Sequence, residues 1–169
     1  MLKLNRKSEY ALMVVQRLGA LHAGARLPVT TLAECGDLPR DLLAKVLQEL
    51  KHAAIVDSTK GVNGGYTLAR PLDAIRFVEV IRPFEENLGL VDCVGETSSG
   101  CARLDCCTLH GPIEQLNTWL MAQLSRLTMA EFVAARPPAP CAGRMIAPRF
   151  GASSASSAAT ASAEAATAE

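Results

Sequence analysis

The stretch from Val29 to Leu68 leaves few folds open. Val29 to Cys35 has the length of a short helix with Leu32 and Ala33 turned inward, and Gly36 ends it. Pro39 suits a first helical position, and Leu42, Leu43, Val46, Leu47, Leu50 and Ala54 then recur at helical spacing. A short helix, a tight turn containing glycine and a longer helix form the helix-turn-helix pattern. Its outward face offers Arg40, Asp41, Ala44, Lys45 and Gln48. A plain helical hairpin would explain the two helices but not the residues after them. Ile55 to Thr59 reads as a strand, Lys60 to Gly65 as a tight turn and Tyr66 to Leu68 as the return strand. A hairpin directly after the second helix makes this a winged helix-turn-helix. Gly61, Gly64 and Gly65 permit positive φ and close approach of backbone to a surface. Lys60 at the tip and Arg70 at the exit are placed to meet phosphates or a minor groove. A nucleotide-cradling loop is excluded: Gly-Lys-Ser/Thr is absent, and no helix opens directly after the glycines.

A second feature is a cysteine-dense loop. Four of the six cysteines and one of three histidines fall between Cys93 and His110. Seven residues separate Cys93 from Cys101, five separate Cys101 from Cys107 and two separate Cys107 from His110. Gly95, Ser98, Ser99 and Gly100 argue for a loop rather than a core element. Thiolates gathered on such backbone suit an iron–sulfur cluster or a zinc ion, because the metal supplies the cohesion that packing does not. Disulfides, or cysteines buried as small hydrophobes, are the simpler alternatives; this density in a loop is unusual for core cysteine.

On either side of these features the chain reads as helix. Asn5 is a candidate N-cap for a helix running to about Ala23, with Ala11, Val14, Val15, Leu18, Leu21 and His22 along one side. Glu9 lies opposite that stripe and faces solvent or another chain. Ile75, Phe77, Val78 and Ile81 continue the core up to Pro83. Gly111-Pro112 opens a helix with Ile113, Leu116, Leu120, Leu124 and Leu127 on one face, near heptad spacing and with little domain left to cover it. Such a helix meets its own copy in a dimer, packs back on the first helix, or does both. Thr128 caps a last short turn through Phe132 and Val133. Cys35 reads as core, and Cys141 falls in a Pro/Ala/Ser/Thr-rich tail outside the site.

With 169 residues the chain can bury one sizeable core. Residues 1–82 hold twelve Lys/Arg against eight Asp/Glu, and the remainder five against nine, so a neutral total hides +4 and −4. That asymmetry confines any polyanion contact to the first half. The apolar run Ala11 to Val15 is too short for a signal segment, and no stretch reaches membrane-span length. No membrane partner is expected, and the expected compartment is a reducing cytoplasm, where clustered cysteines hold metal more often than disulfides. Neither a Ser/His/Asp set nor a pair of catalytic carboxylates is visible, so an enzyme is not expected.

The run Leu4-Asn-Arg-Lys-Ser-Glu-Tyr-Ala-Leu12, the wing Lys60-Gly-Val-Asn-Gly-Gly-Tyr-Thr-Leu68 and the cysteine loop resemble the IscR/NsrR-type (Rrf-two) winged-helix transcription regulators. The similarity spans about residues 1–135. The resemblance implies a homodimer that binds double-stranded operator DNA and carries one iron–sulfur cluster per subunit, 2Fe-2S or 4Fe-4S, whose state reports iron, redox stress or nitric oxide. Cys93, Cys101 and Cys107 match the three cysteine ligands. His110 matches the histidine that some members use as fourth ligand, and Glu9 an acidic position that others supply from the partner subunit; the outward placement of Glu9 favours it by a small margin. Two departures stand out: the first gap is seven residues where the family pattern has five, and Cys106 adjoins Cys107.

The expected architecture is therefore mainly α: a winged helix-turn-helix over 1–82, a cluster-binding loop over 83–111, a dimerisation helix over 112–136 and a disordered low-complexity tail over 137–169. Arg40, Lys45, Gln48 and Lys60 are the expected DNA contacts, with Arg40 and Lys45 nearest the start of the recognition helix. A thiol-switch or zinc-stabilised regulator without a cluster is the alternative, and an electron-transfer protein would leave the wing without purpose. A chain lacking residues 140–169 should keep its cluster content, dimerisation and DNA affinity, because the deletion removes no expected core. Loss of the cluster on this truncation would make Cys141 a ligand.

Overall fold

A computed structural model describes residues 3–22, 25–61, 64–95 and 101–134. The sequence expectation for the tail, and Cys141 with it, lies outside these residues. The chain opens with α1 (Arg6–Gly19), whose N-cap Asn5 accepts a hydrogen bond from the Ser8 amide at 2.9 Å. Ala11, Val14, Val15 and Leu18 are buried as the periodicity requires, and Glu9 is exposed. The helix stops at Gly19, short of the expected Ala23; Leu21 is only partly covered and His22 is exposed.

The helix pair follows as α2 (Val29–Gly36) and α3 (Arg40–His52). Two details of its ends differ from expectation. Gly36 is the last residue of α2, as expected, but the helix closes through a left-handed Asp37, at φ 50°. Pro39 is the N-cap of α3 rather than its first helical residue. Ala54 is not a core position either: it is exposed at φ 53°, and Ile55 beyond it donates back to the Leu50 carbonyl at 2.9 Å. That six-residue closure drives Ile55 into the core, where it has no exposed surface.

The wing pairs β1 (Val56–Thr59) with β2 (Gly65–Leu68) antiparallel, Val56 opposite Leu68 and Thr59 opposite Gly65. Strand β2 has a further partner that the sequence pattern did not disclose, near the turn end of the wing. Leu27 and Tyr66 exchange backbone hydrogen bonds at 3.0 and 2.9 Å, and a side chain at Gly65 would strike the Leu27 carbonyl. Glycine is therefore required there for close approach.

After a short 3-10 turn (Leu72–Ala74) come α4 (Phe77–Ile81), a second 3-10 turn (Arg82–Phe84) and the stem of the cysteine loop. A further 3-10 turn (Leu104–Cys106) leads to α5 (His110–Arg126), whose first helical residue is His110 rather than Gly111. The chain ends its described part in α6 (Met129–Ala134).

The core joins α1, α2, α3, the wing base and α4, with Leu27, Leu32, Leu43, Leu47, Leu50, Ile75 and Ile81 almost wholly enclosed. Truncating one such leucine in a close-packed interior costs about 2–5 kcal/mol. The late helices are tied to this core by backbone. The Phe77 amide donates to the Leu127 carbonyl at 2.9 Å, and the Met129 amide to the Ile75 carbonyl at 2.8 Å. Met129 is fully buried, and Phe132 lies against Phe77 with ring centroids 5.0 Å apart. Cys35, expected in the core, is only half-buried.

Thr128 caps α6 as its sequence implies. Its amide and hydroxyl both donate to Glu131 Oε2 at 2.8 Å, and the Glu131 amide returns a bond to Thr128 Oγ1 at 3.1 Å. These bonds, with the Arg76 charge nearby, hold the Glu131 carboxyl below its usual range. A carboxyl whose folded pKa is depressed stabilises the fold above its unfolded pKa and loses that contribution as pH falls through the folded value. Thermal unfolding of Glu131→Gln should therefore differ most from the parent protein near neutral pH and converge with it on acidification. A difference that is constant with pH would remove the carboxylate from the cap.

Candidate DNA-reading face and cysteine site

Helix α3 buries Leu43, Val46, Leu47 and Leu50 against α1 and α2, and this fixes which side faces out. Arg40, Asp41, Ala44, Lys45 and Gln48 are all exposed on that outer side. Arg40 reaches Glu34 across the helix-turn-helix at 3.5 Å, with both side chains more than half exposed. A contact that open is weak and yields to a phosphate or base edge. Lys60 is exposed at the end of β1, beside Gly61 at φ 115°; Val62 and Asn63 lie outside the described residues.

Arg70, expected near phosphates or a minor groove, is engaged within the chain. Its guanidinium donates to Glu79 Oε2 at 2.8 Å and to the Ala74 carbonyl at 3.0 Å, tying the wing exit to α4. Arg76 is likewise occupied, donating to the Arg126 carbonyl at 2.7 Å at the end of α5. The Arg76 bond spans fifty residues and leaves no mark in local sequence, whereas the Arg70 partners lie only four and nine residues on.

The cysteine loop starts on a well-held stem. The Leu90 amide donates to Asn117 Oδ1 at 3.0 Å; Asn117 is the one buried residue of α5 among those described, set inside an apolar stripe. Val94 is buried, and its carbonyl packs so closely on Gly89 that no side chain fits there. Cys93, Cys101, Cys106 and Cys107 are all free thiols; Cys93 and Cys101 are half-buried, Cys106 and Cys107 exposed. The Cys106 thiol turns back on the Arg103 carbonyl at 3.5 Å, whereas Cys107 stands at the exit of the 3-10 turn. His110 begins α5, and its Nδ1 is buried without a hydrogen-bond partner.

These donors fit a thiophilic metal group. A buried imidazole nitrogen left unpaired costs free energy unless something occupies it, and four unpaired thiols within fifteen residues supply the soft ligands. Among the described residues, however, no three His, Cys, Asp or Glu side chains converge as a metal site. Residues 96–100, which join the arm of Cys93 to Cys101, lie outside them. Glu9 is exposed on α1.

Helix α5 has two apolar sides. Leu124 and Leu127 pack on the core, and Leu120 and Met121 line a cleft against α4. Leu109, Leu116 and Trp119 remain 62%, 54% and 60% exposed. No helix among the described residues is long and apolar enough to cross a membrane.

The family profile described as "Rrf2: Iron-dependent Transcriptional regulator" matches residues 4–135. The HTH-type transcriptional regulator NsrR of Geobacillus kaustophilus is 28% identical over 132 residues, 78% of this chain and 90% of that protein. CymR (YrzC), the global cysteine regulator of B. subtilis, has the same fold with TM-score 0.66, at 21% identity over 80% of this chain and 98% of its own. T. potens IscR gives TM-score 0.61 at 22% identity over 79% and 88%.

The contrast between Lys60 and Arg70 can be measured. Lys60→Ala should weaken DNA binding on most sequences and flatten its salt dependence by about one unit of slope. Arg70→Ala should lower the melting temperature and leave the slope as it was. A slope change in Arg70→Ala would return that residue to the contact set.

Proposed function

This chain belongs to the Rrf2 family of transcriptional regulators, and from that premise we propose that it acts as a homodimer on operator DNA and senses iron, redox state or nitric oxide through an iron–sulfur cluster in its cysteine loop. It is a regulator and not an enzyme. The observation that carries the sensing half is the free-thiol loop ending at a buried, unpartnered His110 Nδ1. The exposed apolar side of α5 supports self-association, since burying Leu109, Leu116 and Trp119 against a second copy recovers roughly 25 cal/mol per Å² of apolar surface. Two-fold pairing presents two α3 helices to successive major grooves, so the operator is near-palindromic. Arg40 and Lys45 read bases near the start of α3, Gln48 supports them, and Lys60 adds phosphate or minor-groove affinity.

Cys93, Cys101 and Cys107 supply three thiolates to the cluster. The contact between the Cys106 thiol and the Arg103 carbonyl supports Cys107 over its neighbour. For the fourth position the orphaned nitrogen supports His110, and the exposed carboxylate of Glu9 supports donation across the dimer. When bound, the cluster supplies a redox- and nitric-oxide-reactive iron centre. The chain's own residues hold it, limit access to it and pass its presence or loss to the DNA face.

The exposure of two free thiols, Cys106 and Cys107, favours one alternative: a thiol-switch or zinc-stabilised regulator. Anaerobic purification separates the readings. Coloured protein containing iron and sulfide supports the cluster; colourless protein with stoichiometric zinc supports the alternative. His110→Ala and Glu9→Ala should then divide: the true fourth ligand alters the spectrum and speeds cluster loss under oxygen, and the other does not. Unchanged spectra in both would place the fourth ligand elsewhere.

A further inference from the structure

The segment entering the cysteine loop is latched to the first turn of α1. Glu85 Oε1 accepts two hydrogen bonds there, from the Asn5 amide at 2.9 Å and from the Ser8 hydroxyl at 2.6 Å. The Asn5 side chain completes the join, its Oδ1 receiving the Ser8 amide and its Nδ2 donating to the Phe84 carbonyl. Ser8 has no exposed surface and Glu85 is partly buried, so the bonds are formed away from competing water. The bonds from Asn5 and Ser8 to Phe84 and Glu85 join residues 77 to 80 apart in sequence.

Two surroundings make this more than a structural tie. Glu85 lies eight residues before Cys93, and between them the Leu90 amide is fixed to Asn117 of α5. The stem is thus held to α5 on the cysteine side and to α1 on the other. Glu85 and Glu86 also line a cleft with Lys7 of α1 and Lys45 and Gln48 of α3, which are groups on or beside the DNA-reading face. The adjoining cleft takes in Arg6 and Leu42. A displacement of the stem therefore reaches the first turn of α1 and the flank of α3 without crossing the core.

We propose that Glu85 is the positioning residue that couples the cysteine loop to the DNA-reading face, holding the first turn of α1 against α3 in one state of the loop and releasing it in the other. This rests on the cluster-sensing reading above. The coupling is a difference between two operator affinities, with and without cluster, and it is reciprocal with the effect of DNA on cluster retention.

The test compares full-length protein, cluster-loaded and cluster-free, by operator affinity at one salt concentration. The parent protein should show a ratio of at least about fivefold between the two forms, and Glu85→Ala and Ser8→Ala should bring it to within about twofold of unity. Should Glu85→Ala fail to fold, Ser8→Ala alone decides, since it leaves the carboxylate in place. Parent-like ratios in the folded latch variants overturn the latch while leaving cluster sensing intact. A ratio of one in the parent protein overturns cluster sensing itself, and the latch with it.

Discussion

Two backbone hydrogen bonds, Phe77 to Leu127 and Met129 to Ile75, decide what the second half of this chain can do. They fasten the junction of α5 and α6 to the strand-like entry of α4, and the burial of Met129 makes the attachment apolar as well as polar. With the C-terminal end of α5 fixed, Leu124 and the C-cap Leu127 pack on the core, while the N-cap Leu109 and, in the first ten residues of the helix, Leu116 and Trp119 stay open. The cysteine loop is thereby placed at the less covered end of the helix, beside the apolar side best suited to a second copy. In the proposed dimer, pairing and ligand placement are consequences of one constraint.

The first half is set by a different balance. Leucine burial holds α3 against α1 and α2, and this side is large enough to dictate that Arg40, Lys45 and Gln48 face out. Both helix ends in the helix-turn-helix close through left-handed residues that are not glycine, Asp37 and Ala54. Each costs on the order of 1–2 kcal/mol of backbone strain. The cost is tolerated because the closure inserts Leu38 after one helix and Ile55 after the other.

Near-neighbour patterns made much of the fold legible in the sequence. Periodicity gave α1, α2, α3 and the outward side of Glu9; the glycine turn gave the wing; Thr128 marked the last cap. The misreadings had long-range or geometric causes. The Arg70 contacts with Ala74 and Glu79, four and nine residues on, form only once the 3-10 turn and α4 are in place. Ala54 fitted the apolar stripe, but the helix had already ended and turned there. Leu27 at the wing, Asn117 under the loop stem and the Glu85 contacts with Asn5 and Ser8 join distant parts of the chain, and only the last two had any cue: a polar residue within an apolar stripe, and an acidic pair after Pro83-Phe84. The cysteine spacing marked a candidate site without showing how its sulfurs meet.

The proposed link between the thiol loop and the DNA-reading helices can be followed by visible absorbance and operator binding in the same anaerobic sample as nitric oxide is added stepwise. Operator affinity should change in proportion to loss of the cluster absorbance, with the protein still folded. Affinity that holds constant while the absorbance disappears would contradict it.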